Sequence, residues 1–251
     1  MAVDKKDEGS FWDHLEEFRK RIFIMIITVA TLAAVAFTFS RYITNYITAT
    51  SPCELITLAP AEAVTAHLRL SVTVAIIIAS PVLLFQMWRF IAPGLYANER
   101  KAVVAVTTAG SFLFIGGAAF AWFVMRAPAL LLFQSFETGN IHGSWSVASY
   151  IGFISSFLLI FGSAFQLPLV VLFLTKTGII EPATLGRYRR HVVVGLLIMA
   201  AILTPPDPLT QVMLALPLYL LFEISLIIAK ISFLKSKKNF ERSEMNGDGV
   251  V

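Results

Sequence analysis

Two carboxylates stand out because each lies beside basic residues. Glu17 precedes Arg21 by one helical turn, and Glu99 directly precedes Arg100 and Lys101. A carboxylate next to an apolar segment can take two N–H bonds from a guanidinium, most strongly where water is scarce. Simpler roles fit as well. Glu17 can pair with Arg21 at i+4 along its own helix, and Glu99 can be an acidic residue favoured by a helix N-terminus. Gln166 lies deep in an apolar run, two residues before Pro168. An amide left unbonded there costs roughly 2–7 kcal/mol. It therefore either answers the Ala164 carbonyl that Pro168 deprives of a donor, or it meets another polar surface. Glu223 lies near the end of the last apolar run. Thr204, Asp207 and Gln211 surround Pro205, Pro206 and Pro208, and Thr204 and Asp207 suit helix-end capping.

Several chemistries lack their residues. There is no G-x-x-x-x-G-K-[ST] phosphate loop, no H-E-x-x-H and no G-x-S-x-G elbow. His14, His67, His142 and His191 are too scattered for a metal site. Gly162–Ser163 falls in an apolar run without a histidine at similar depth, and the sole Gly-Asp pair, Gly247–Asp248, lies in the polar tail. Neither an enzyme nor a cofactor is expected, and no nucleic-acid partner. Cys53 is the single cysteine, so no intrachain disulfide forms.

The elements that must hold these residues are membrane spans. Of the 251 residues, 57% are hydrophobic and only 14% charged, too apolar for one aqueous core. Six apolar stretches appear, near Ile22–Phe39, Leu70–Trp88, Ala102–Met125, Tyr150–Thr175, Val192–Thr204 and Leu209–Ala229. The last two are short, and the proline cluster between them predicts a tight helical hairpin. Ahead of the first stretch, Phe11, Leu15, Phe18 and Ile22 recur at helical spacing. They predict an amphipathic lead-in at the membrane surface, with no cleavable signal peptide before it. No internal repeat is visible.

Basic residues set the orientation. Seventeen lysines and arginines fall in the N-terminal segment, the second–third and fourth–fifth connections and the C-terminal tail, against Arg41, Arg69 and Arg126 on the other side. The positive-inside rule then puts both termini in the cytoplasm. The expected domain is a single six-helix membrane domain over residues 1–233, followed by a disordered charged tail over 234–251.

Several strings in order carry a resemblance. They are His14-Leu15-Glu16-Glu17-Phe18-Arg19, Ser80-Pro81 with Gln86, Trp88 and Phe90, and Ala92-Pro93-Gly94-Leu95-Tyr96 with Glu99-Arg100. Then come Phe165-Gln166-Leu167-Pro168, Leu203-Thr204-Pro205-Pro206-Asp207 with Gln211, and Leu221-Phe222-Glu223. Together they resemble the TatC family over about Trp12 to Lys230. The resemblance implies an all-α polytopic protein of the bacterial inner membrane, cupped, with short fifth and sixth helices. It implies a receptor for twin-arginine signal peptides of folded cargo, working with TatA-type and TatB-type single-span partners and with copies of itself, driven by the proton-motive force. The family's recognition glutamates fall on Glu17 and Glu99, with Arg19, Phe90 and Tyr96 in the same site. It places Gln166 and Glu223 as polar contacts within the membrane, and Thr204, Asp207 and Gln211 in the periplasmic hairpin. One departure is Gln166, where many family members carry glutamate. A small-solute or ion transporter is the competing class. It would need paired ionisable groups at mid-membrane, which Gln166 and Glu223 do not supply.

Overall fold

The computed structural model describes residues 5–91, 100–137, 144–176, 180–203 and 208–245. Helix α1 spans Lys5–Thr38, so the predicted lead-in and first span form one continuous helix. A turn at Phe39 leads into α2, Ser40–Thr48, which buries Ser40, Thr44 and Ile47 at i, i+4 and i+7. Strand β1, Leu55–Ile56, follows, and then α3, Glu62–Ile91. Pro81 sits inside α3 and cannot bond the carbonyl of Ile77. The buried Ser80 hydroxyl donates to that carbonyl at 2.8 Å, so the helix continues through the proline.

Helix α4, Arg100–Phe120, widens into a π turn at Ala121–Met125 and continues as α5, Arg126–Ser135. Pro128 removes the donor for the Val124 carbonyl, and the wide turn absorbs the mismatch. Strand β2, Trp145–Ser146, precedes α6, Val147–Ala164. The two short strands pair in parallel, Leu55 with Trp145 and Ile56 with Ser146, so the chain is helical but not wholly α.

Among the described residues, four helical stretches are long and apolar enough to cross a membrane: Leu15–Thr38, Glu62–Phe90, Val104–Ser135 and Val147–Thr175. The second and third outrun the apolar stretches seen in sequence, reaching back to Glu62 and on to Ser135. A helix of 30 residues such as α3 is about 45 Å long, against a hydrocarbon core of ~30 Å. The overhanging turns bury an apolar cluster of Ile47, Ala66, Leu70, Leu130, Tyr150, Ile151 and Ile154. The Tyr150 hydroxyl donates to the Ile47 carbonyl at 3.3 Å, fastening α6 to α2.

The chain packs as two compact units, Met1–Gly162 and Ser163–Val251. In the second, α7 (Leu167–Lys176), α8 (Pro182–Arg187) and α9 (Arg189–Leu203) all pack on α10 (Pro208–Met245). At 15 residues, or about 22 Å, α9 is as short as expected. Helix α10 has 38 residues and runs on to Met245, past the short apolar stretch Leu209–Ala229 into the polar segment after it. Its polar end is rich in lysine, glutamate and arginine, which favour helix once a preceding helix has nucleated it.

Candidate functional site

Glu17 lies on α1 and is partly exposed. Its Oε1 accepts from Arg21 Nε at 3.2 Å and also from Arg21 Nη2. Arg21 is buried, and its Nη1 donates to Gln86 Oε1 on α3 at 3.3 Å. The i+4 pair foreseen as the simpler role of Glu17 is therefore present, and it is tied to the end of the second span. Beside it the Phe18 and Phe90 rings meet with centroids 5.2 Å apart. The result is a carboxylate with a two-toothed guanidinium contact, a neutral amide behind the cation and two rings at the edge.

Of the residues expected in this site, Glu17 and Phe90 come together through Phe18. Glu99 and Tyr96 lie outside the described residues. Arg19 is two positions from Glu17, so it projects from another side of α1. There it borders a hollow with Lys20, Phe23 and Ile24. Lys20 pairs with Glu16 at 3.0 Å.

Gln166 stands between α6 and α7, where the fourth span breaks. Its backbone N–H donates to the Ser163 carbonyl, and its own carbonyl accepts from Leu169 and Val170, each at 3.0 Å. Pro168 thus interrupts the helix rather than merely bending it. The Gln166 side-chain oxygen is buried. Glu223 is engaged within the second unit. Its Oε2 pairs with Arg189 Nη2 at 3.1 Å, and its Oε1 accepts from the Tyr219 hydroxyl at 2.8 Å. Gln211 Nε2 donates to the Leu197 carbonyl at 2.8 Å, closing the α9–α10 hairpin. Thr204 and Asp207 lie outside the described residues. Among the described residues no group of histidines, cysteines or acids is arranged to hold a metal ion.

Three polar clusters went unread in the sequence. Glu62 is buried, and its carboxylate accepts from the Leu58, Ala59 and Ala148 N–H groups at 2.5, 3.3 and 2.9 Å. It joins the segment before α3 to the start of α6. Arg126 lays its guanidinium 4.1 Å from the Trp122 ring, which in turn stacks on Tyr46 at 5.9 Å. Arg69 donates from Nη2 to Ser156 Oγ at 3.2 Å. The one available signal was a charged residue in an apolar run, which for Arg69 and Arg126 had served only to set orientation.

Comparison with known proteins gives a single answer. The family model described as Sec-independent protein translocase protein (TatC) matches residues 13–217. The Sec-independent protein translocase protein TatC of Helicobacter pylori (strain J99 / ATCC 700824) is 37% identical over 218 residues, covering 87% of this chain and 88% of that one. Its counterpart from Aquifex aeolicus (strain VF5) is 37% identical over 233 residues, covering 90% and 97%. A solved structure of the twin arginine translocase receptor TatC superposes with a TM-score of 0.79 at 38% identity, covering 87% of this chain and 98% of that one. The match runs from the Glu17 site through the broken fourth span into α10, and this polytopic membrane chain belongs to the TatC family of Sec-independent protein translocase proteins.

Proposed function

We propose that the chain is the receptor and core of a twin-arginine translocase. It binds the paired arginines of signal peptides on folded cargo at the Glu17 end of α1 and α3, with Glu99 as the second carboxylate. The observation that carries this reading is the Glu17–Arg21 contact. A guanidinium already sits side-on against Glu17, through Nε and Nη2, so the local geometry suits the group to be recognised. A signal arginine would take over this contact, while Gln86 continues to hold Arg21 from the other side. Phe18 and Phe90 offer an apolar edge to the signal's hydrophobic stretch.

The remaining parts of the reading are these. Six spans run with both termini in the cytoplasm of a bacterium, α9 and α10 being the fifth and sixth. TatA-type and TatB-type single-span partners dock along those two helices, and the proton-motive force drives export. An exposed apolar stripe supports the docking edge: Val212, Leu216, Leu220 and Ile224 recur every fourth residue of α10, and Val194 and Ile198 do so on α9. Gln166 serves as a neutral hydrogen-bonding contact inside the membrane. Residues 1–233 act together as the membrane domain.

The test is crosslinking of an Arg-Arg signal peptide to the Glu17→Lys, Glu99→Lys double variant, alongside export of a folded reporter in a strain without its own TatC-type protein. Loss of both with normal membrane insertion is expected. Normal crosslinking would remove the two carboxylates from the site. Solute uptake without reporter export would instead point to the transporter class.

A further inference from the structure

Most hydroxyls along the spans bond their own helix backbone, as Ser71, Thr73 and Ser111 do. Arg69 differs: a cation on a membrane helix, exposed along its length, with its head held against a neighbouring helix. Its height can be counted. Arg89 marks one end of the span, and Arg69 lies about 20 residues away along α3, or ~30 Å, which is one hydrocarbon thickness. On the third helix, Trp122 and Arg126 lie about as far from Val104, where that apolar span begins. An arginine and an aromatic at the same height are the residues that favour a headgroup layer.

The seat of Arg69 is shaped by its neighbours. A Cβ on Gly152 of α6 would stand 2.7 Å from Arg69 Nη1 and 3.2 Å from Cζ, so only glycine lets the guanidinium lie against that helix. One turn further, Ser156 Oγ takes the Nη2 bond. Ser156 uses one N–H of a five-donor fork that has no acceptor capacity of its own. Below Arg69 on the same face of α3, Val72 is exposed and Ile76 half-buried, in the direction of the hydrocarbon. The face thus carries a fixed cation above an apolar strip.

We propose that Arg69, seated on Gly152 and Ser156, binds the phosphate of a membrane phospholipid in the leaflet at the Glu62 end of the spans, its acyl chain lying along Val72 and Ile76. This site is separate from the Glu17 site, which lies at the other end of α3. The pinned guanidinium offers paired N–H groups to two phosphate oxygens, the geometry at which arginine surpasses lysine.

The experiment is native mass spectrometry of the full-length protein in detergent. Phosphatidylglycerol is supplied in one arm, and an uncharged galactosyl diacylglycerol with the same acyl chains in the other. The parent protein should retain one more phosphatidylglycerol than glycolipid. Arg69→Gln should weaken that last lipid about fivefold, the effect of one cation at a lipid surface. Gly152→Ala should do the same with the arginine still present, because the new methyl pushes aside only the far end of a flexible side chain and the fold survives. Circular dichroism checks that each variant is folded. Equal phosphatidylglycerol retention by folded Arg69→Gln, or equal retention of the glycolipid by the parent, would overturn the assignment. So would displacement of the lipid by millimolar inorganic phosphate, which would mark a site for free anions instead.

Discussion

At the scale of single residues, the buried polar groups of the first unit are matched to particular backbone defects. Glu62 gathers three N–H groups from two segments. Glu62→Gln keeps an acceptor oxygen but turns an N–H pair toward other donors, whereas Glu62→Ala leaves all three N–H groups unanswered. Thermal unfolding in detergent should rank the parent above the glutamine variant, and that above the alanine variant. Equal melting of the two variants would mean that water replaces the carboxylate. Ser80 is the smaller case: removing its hydroxyl in Ser80→Ala bares the Ile77 carbonyl, at a cost of about 1 kcal/mol. The sequence disclosed such roles only when the partner was near. The Glu17–Arg21 pair is legible from i+4 spacing, but the Gln86 bond reaches across 65 positions. Glu62 reads as an ordinary acid before an apolar run, because its partner Ala148 lies 86 positions away.

At the scale of elements, the four long spans among the described residues were legible because a membrane demands unbroken apolar length. Their true ends were not, since the overhanging turns at Glu62–Leu68 and Arg126–Ser135 mix polar and apolar residues as any water-facing helix does. Helix α2 escaped for the same reason, and the two-residue strands are too short to leave a period. Packing between spans shows the same limit at Gly162. A Cβ there would stand 3.0 Å from two carbons of the Phe114 ring, so α4 and α6 meet where a methyl fits only if the ring gives way by a few tenths of an ångström. Gly162→Ala should force the ring to shift and cost about 1–3 kcal/mol, and Gly162→Leu more. Urea or heat titration of the purified variants would read this. An unchanged Gly162→Ala would mean that the ring moves freely.

At the scale of the whole molecule, the proposed orientation can be read with the chain's own cysteine. Cys53 lies between α2 and β1, at the overhanging end of the spans, and is partly accessible. In intact cells a membrane-impermeant maleimide should label Cys53. A cysteine placed at Lys20 in a Cys53→Ala background should label only after the membrane is opened. The reverse pattern would invert the topology and with it the assignment of the Glu17 end to the cytoplasm. The charge asymmetry of the sequence is the ground for proposing this orientation. The division of the chain at Gly162 was not readable, because it depends on which helices pack together.

The apolar cluster at the overhanging ends also sets an order of assembly. Its members come from α2, α3, α5 and α6, and β1 finds β2 about 90 residues later in the chain. Ile47, Ala66, Leu70 and Leu130 are therefore synthesised, and their helices inserted, before Tyr150, Ile151 and Ile154 exist to cover them. Closing so long a loop is entropically costly for a free chain. Here the inserted helices already hold its ends near one another, so closure becomes the last and cheapest step. Until then the nascent protein presents a greasy, half-built rim at the Glu62 end of the spans, the part most open to proteases and chaperones.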